Sequence, residues 1–254
     1  MQRFLTASPA HLTEAVRYCR NPACAAYRIG QNSTLLRQGT PTIKGGLLVV
    51  SDSHAPFLHH PEALCAAILR ECGRQTFRGV VLDFEEPPRQ DLFSFAKQLE
   101  QTLAGAKKDL YLPESYAAVG GQAVTLLCSA ISGGNYAQHL RQAAARRGDA
   151  HRMALDVQRL RMDFTLPCPS GEGKPLTAEE LRRLMEQEQS SVFFSPDLCA
   201  RYFTYAREGV AHFVLFDDAD TMNQKVKIAA SLGYSAAFFL WPEICDIVQG
   251  IAFG

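Results

Sequence analysis

The stretch Phe77-Arg78-Gly79-Val80-Val81-Leu82-Asp83-Phe84-Glu85-Glu86-Pro87-Pro88 constrains the fold of this chain more than any other. An aliphatic run that breaks into acids and then prolines reads as a strand buried on both faces. The prolines force a loop directly after it. Side chains alternate along a strand, so Asp83 and Glu85 project to the same side at its C-terminal end. In parallel α/β folds that end of the sheet carries the active site.

The same pattern recurs along the chain. Apolar runs at 3–7, 24–29, 46–51, 110–114, 123–129, 158–166 and 236–241 predict further strands. Helices are predicted at about 9–18, 61–72, 90–105, 136–147 and 219–231, the third from the spacing of Leu92, Phe95, Leu99 and Leu103. Thr177-Ala178-Glu179-Glu180 is a capping box that starts another helix. Residues 201–205 and 212–216 flank Glu208-Gly209 as a hairpin would, and Gly39–Thr42 reads as a turn.

Eight strands alternating with helices in 254 residues, without internal repeats or a linker, predict a single (β/α)8 TIM barrel over 1–254. A small insertion of about 170–216 falls between strands 7 and 8. A doubly wound open sheet is the second choice. No GxGxxG follows the first strand, which counts against a dinucleotide site, and no cofactor is expected.

Lys plus Arg and Asp plus Glu both total 26, so no net charge favours nucleic acid or an anionic membrane as partner. No apolar run reaches the roughly 18 residues of a membrane span, and the first residues lack a secretory core. The eight cysteines show no CxxC pairing and sit mostly among apolar neighbours, as in a reducing compartment. The chain therefore reads as cytoplasmic, with spore or cell-wall association left open.

Residues 77–85 resemble the fourth-strand signature of glycoside hydrolase family 18, the chitinase-like barrels, whose pattern is DxxDxDxE. Its positions fall on Arg78, Val81, Asp83 and Glu85, so the last two acids are present and the first two are replaced. The resemblance extends over Tyr202–Trp241. It implies that Glu85 donates a proton to the glycosidic oxygen and that Asp83 orients the substrate's acetamido group. It also implies that Trp241, the only tryptophan, floors the sugar site. The family's Met-x-Tyr-Asp end to the sixth strand corresponds to Cys128-Ser129-Ala130-Ile131, which has neither tyrosine nor acid.

Most glycosidases use two carboxylates, but this family uses the substrate's own acetamido group, so a single acid can suffice. The expected partner is an oligosaccharide or cell-wall glycan containing N-acetylglucosamine, taken either by an enzyme or by a non-catalytic binding protein of the same fold. Asp52, Glu114, Asn135, Tyr136, Asp163 and Glu243 are further candidates to line the barrel mouth, each alternatively a turn or capping residue. Asp52, His54 and Glu85 also admit a metal-ligand reading, but one histidine with dispersed acids is a poor ligand set, and no metal is expected.

Overall fold

The computed structural model describes residues 1–41 and 43–253. The turn expected at Gly39–Thr42 ends on a residue outside that range. The chain runs β1 (Gln2–Ala7), α1 (Pro9–Ala15), β2 (Pro22–Gly30), β3 (Thr34–Arg37), β4 (Leu47–Ser51), α2 (Pro61–Gln75), β5 (Gly79–Asp83) and α3 (Gln90–Gly105). It continues with β6 (Asp109–Pro113), β7 (Val124–Cys128), α4 (Tyr136–Arg147) and β8 (Met153–Val157). An antiparallel region follows: β9 (Arg161–Leu166), β10 (Lys174–Pro175), α5 (Ala178–Glu188), β11 (Phe193–Ser195), β12 (Ala200–Arg207) and β13 (Val210–Phe216). Last come α6 (Ala219–Ser231), β14 (Ala236–Leu240) and the short α7 (Trp241–Ile244).

Eight parallel strands, in the order β1-β14-β8-β7-β6-β5-β4-β2, close into a barrel because β1 also pairs with β2. This is the predicted TIM barrel. β3 adds to β2 antiparallel, outside the closed ring. Inward-facing Phe4, Leu47, Val49, Val81, Tyr111 and Phe238 fill the interior. Phe4 stacks on Phe238 at 4.7 Å, and Tyr111 meets Phe238 edge-on at 4.9 Å. The alternate residues, among them Leu48, Val50, Val80 and Leu82, face the helices through Leu64, Ile68, Phe95 and Leu99. Gly79 is required where β5 enters beside β6, since a Cβ there would lie 2.6 Å from the Asp109 carbonyl oxygen.

The seventh barrel strand is β8, not residues 158–166. Alternation separates the two: Met162 and Phe164 against Arg161, Asp163 and Thr165 is the signature of a two-faced antiparallel strand. Residues 161–166 accordingly open an inserted five-stranded sheet, β10-β9-β13-β12-β11, so the insertion starts earlier than the expected 170. The predicted hairpin is β12–β13, and the Thr177 capping box starts α5, with Glu180 N donating to Thr177 Oγ1 at 3.1 Å. One sheet face packs on α5 through Phe203, Val214 and Phe216. The other carries Leu160, Phe164, Ala200 and Leu215, which contact Ala130 of the barrel.

A buried ion pair joins insertion and barrel. Lys225 Nζ of α6 lies 2.7 Å from Asp217 Oδ2, and neither side chain reaches solvent. Asp217 also accepts from Leu160 N at 3.0 Å and from Thr221 Oγ1 at 2.9 Å, and its own amide donates to the Leu160 carbonyl at 2.8 Å. Removing one partner strands a buried charge. Lys225→Met should lower the unfolding free energy in urea by about 3–5 kcal/mol, and Asp217→Leu in the same chain should recover part of the loss.

Candidate active site

Parallel pairing sends every barrel strand's C-terminal end to one mouth, and a cavity of about 440 Å³ opens there. Its inner wall is Val49, Val81, Leu126 and Phe238; its rim includes Thr6, Asp83, Glu85, Asp156, Gln158 and Glu243. Met162, Pro175 and Leu176 of the insertion lean over one side.

Asp83 closes β5, with Phe84 turned outward onto Tyr116 at 5.3 Å. The turn carrying Glu85 is held from below. Buried Asp52, just after β4, accepts from Glu85 N at 3.0 Å and Glu86 N at 3.3 Å, while Glu86 Oε1 accepts from His54 N at 2.8 Å. Asp52 thus positions the turn and does not line the cavity. Burial pushes its carboxyl above the usual range in spite of those amide bonds.

Asp156 stands on the facing wall, at an inward position of β8, in register with Cys128 of β7 and Phe238 of β14. Gln158 Nε2 donates to its Oδ2 at 2.8 Å, and Cys128 Sγ donates to Gln158 Oε1 at 3.3 Å. Asp83 is exposed to the open cavity, with the barrel wall closely packed around it. Desolvation, followed by the charges of Glu85, Asp156 and Asp52, raises its pKa to about 6. Desolvation also raises Asp156 to about 6, opposed by the Gln158 bond and reinforced by Glu243 and Glu85. Among the described residues no cation pairs with Asp83, Glu85 or Asp156. Glu243 differs: it accepts from Arg159 N at 3.3 Å and has the Arg161 guanidinium at 3.8 Å. Asp83 and Asp156, unpaired carboxyls raised to about 6, suit proton exchange in this mouth.

Of the residues expected at the mouth, Asp83, Glu85 and Glu243 line the cavity. The others lie elsewhere. Trp241 does not floor it: inward positions along β14 are even-numbered, so Trp241 turns out into the core against Tyr18 at 5.9 Å, and Leu240 reaches the cavity instead. Glu114 sits outside the barrel, 3.0 Å from Arg146. Asn135 caps α4, accepting from Gln138 N at 3.0 Å, and donates to Asp197 at 2.8 Å. Tyr136 is wholly buried with Lys225 Nζ 5.7 Å from its ring, and burial raises its phenol pKa far above normal. Asp163 belongs to the insertion, bonded to Tyr205 Oη at 2.7 Å and His212 Nδ1 at 3.0 Å.

The altered motif positions also have physical occupants. Val81 packs inside the barrel, and Arg78 lies at its opposite end with the guanidinium 4.8 Å over the Phe4 ring, remote from Asp83. Asp52, His54 and Glu85 do not gather as metal ligands, and no group of three ligand side chains occurs among the described residues. Sequence reasoning missed Asp156, whose signal was available: Met153-Ala154-Leu155-Asp156 is another aliphatic run ending in acid.

No family model matches the chain, and no curated protein sequence does. Solved structures do. The spore cortex-lytic enzyme SleL of Bacillus megaterium QM B1551 superposes with a TM-score of 0.67 at 14% identity, over 98% of this chain and 73% of its own. A class V chitinase from Nicotiana tobaccum gives 0.71 at 11%, over 99% and 98%. A GH18 chitinase mutant from Cycas revoluta, in complex with (GlcNAc)4, gives 0.68 at 12%, over 98% of each chain. The fold is that of the chitinase-like barrels, as the fourth-strand resemblance implied. No helix among the described residues is long and apolar enough to cross a membrane.

The raised carboxyls make a signed prediction. Between about pH 4 and pH 6 the folded chain holds protons on Asp83 and Asp156 that the unfolded chain has released, so each site costs stability as the pH rises through that window. Urea unfolding of Asp156→Asn beside the parent should show the variant gaining relative stability from pH 4 to pH 6. A constant difference would contradict the assignment.

Proposed function

We propose that this chain is a glycoside hydrolase acting on a glycan that contains N-acetylglucosamine, of the chitin or peptidoglycan type. Glu85 protonates the glycosidic oxygen. The substrate's 2-acetamido oxygen attacks the anomeric carbon as that carbon's bond to the glycosidic oxygen breaks, and Asp83 orients the acetamido group by accepting from its N–H. Water then attacks the anomeric carbon of the cyclised sugar, releasing the acetamido oxygen and giving a proton back to Glu85. One observation carries this reading: Asp83 and Glu85, two residues apart at the end of β5, face an open cavity, and among the described residues neither forms an ion pair, the cavity's Arg159 and Arg161 being engaged by Asp246 and Glu243. Barrels of the same shape that bind such oligosaccharides support it.

Val81 at the inner motif position and the absence of tyrosine and acid in residues 128–131 favour a second reading, a carbohydrate-binding protein of this fold without turnover.

Hydrolysis of N-acetylglucosamine oligomers and muropeptides by the parent and by Glu85→Gln separates the two. The enzyme reading expects turnover in the parent and a fall of about 10²–10⁴-fold in the variant, the usual worth of a general acid. Binding of the oligomers by both proteins with turnover by neither would establish the binding protein.

A further inference from the structure

The fourth-strand acids leave one carboxylate of the mouth without a role. Four carboxylates line the cavity. Glu243 is held by the Arg159 amide and the Arg161 guanidinium, and Asp83 ends β5 two residues before Glu85. Asp156 alone stands on the opposing wall, inward-facing, half-buried and unpaired with any cation among the described residues.

Its distance class follows from topology. β5 and β8 are separated by β6 and β7, three strand spacings, which is on the order of 14 Å along the sheet. Inward side chains from two such walls approach one another without meeting, and a cavity of about 440 Å³ lies between them. That volume admits a sugar ring with a water beside it, since a water occupies roughly 30 Å³. Two carboxylates separated by a sugar and a water form the arrangement of an inverting glycosidase.

We propose that Asp156 is a general base for a water molecule, giving this cavity a further activity: hydrolysis of β-glycosides that lack a 2-acetamido group. The proposal rests on Glu85 being the acid. Asp156 takes a proton from the water as its oxygen bonds to the anomeric carbon. The bond from that carbon to the glycosidic oxygen breaks, and Glu85 gives its proton to the departing oxygen. Water is the co-reactant, and the anomeric configuration inverts. The Gln158 amide, donating at 2.8 Å to one oxygen of Asp156, orients the other toward the cavity.

The test uses matched β-1,4 tetrasaccharides of glucose and of N-acetylglucosamine, with the parent, Glu85→Gln, Asp156→Asn and Asp156→Ala. The parent should cleave both, the glucose oligomer with inversion seen by proton NMR. Glu85→Gln should lose both activities. Asp156→Asn should shift the ratio of the two rates by about 100-fold against the glucose oligomer, and in Asp156→Ala azide, a small anion that fits the space left by the carboxylate, should restore part of the loss. A merely structural role for Asp156 would slow both substrates equally without rescue, and that result overturns the proposal. Cleavage of the acetamido oligomer alone by the parent also overturns it, while leaving Glu85 as the acid of the proposed function. Cleavage of neither by the parent removes that function and this proposal together.

Discussion

Barrel closure through β1 is the constraint on which the rest depends. β1 pairs along its length with β14, the last strand, and near its C-terminal end with β2. The first and last strands of the chain are thereby joined, and no sheet edge remains in the ring. Because every pairing in it is parallel, the C-terminal ends of β5, β8 and β14 meet at one mouth. Phe4 on β1, wedged against Phe238 and Tyr111, fills the lower interior, so the upper layer can be polar without leaving a void beneath it. Acids at these strand ends are costly in a low-dielectric rim. That cost raises Asp83 and Asp156, and the same cost makes them useful as proton-exchanging groups.

The insertion shapes this mouth from outside the ring. Its sheet leaves the barrel after β8 and returns at α6, and both passages converge on Asp217. That carboxylate takes a lysine, a hydroxyl and a backbone amide in a site closed to water, so each donor is satisfied by a partner that fixes position. Leu160, Met162 and Leu176 are thus held over one side of the cavity by a polar anchor behind it. Asp52 does the corresponding work on the opposite side, where two amides of the Glu85–Glu86 turn point into its carboxylate.

Much of this was legible in the sequence. Strands such as Leu47–Ser51 and Gly79–Asp83 are uninterrupted aliphatic runs ending in polar residues, which only a doubly buried strand requires. The Thr177 capping box and the 136–147 helix stand where local chemistry placed them. Met153–Val157 escaped notice because its acid interrupts a five-residue run, while the alternating 161–166 segment next to it looked longer and more regular. With that shift, Asp156 disappeared from the candidate site. Trp241 was misplaced for a related reason: side-chain direction depends on strand register, and Trp241 falls one residue past the inward Leu240. Glu114, Asn135 and Tyr136 follow strand ends in sequence, but their loops turn away from the axis, and loop direction is a tertiary property.

The most direct measurement is a crystal structure of Glu85→Gln with an N-acetylglucosamine tetramer. A sugar chain should cross the mouth between β5 and β8, with a glycosidic oxygen about 2.6–3.2 Å from the side chain of residue 85, the reach of a proton donor. An oligomer held only on the outer surface of the insertion or barrel, with the mouth empty of sugar, would contradict that placement.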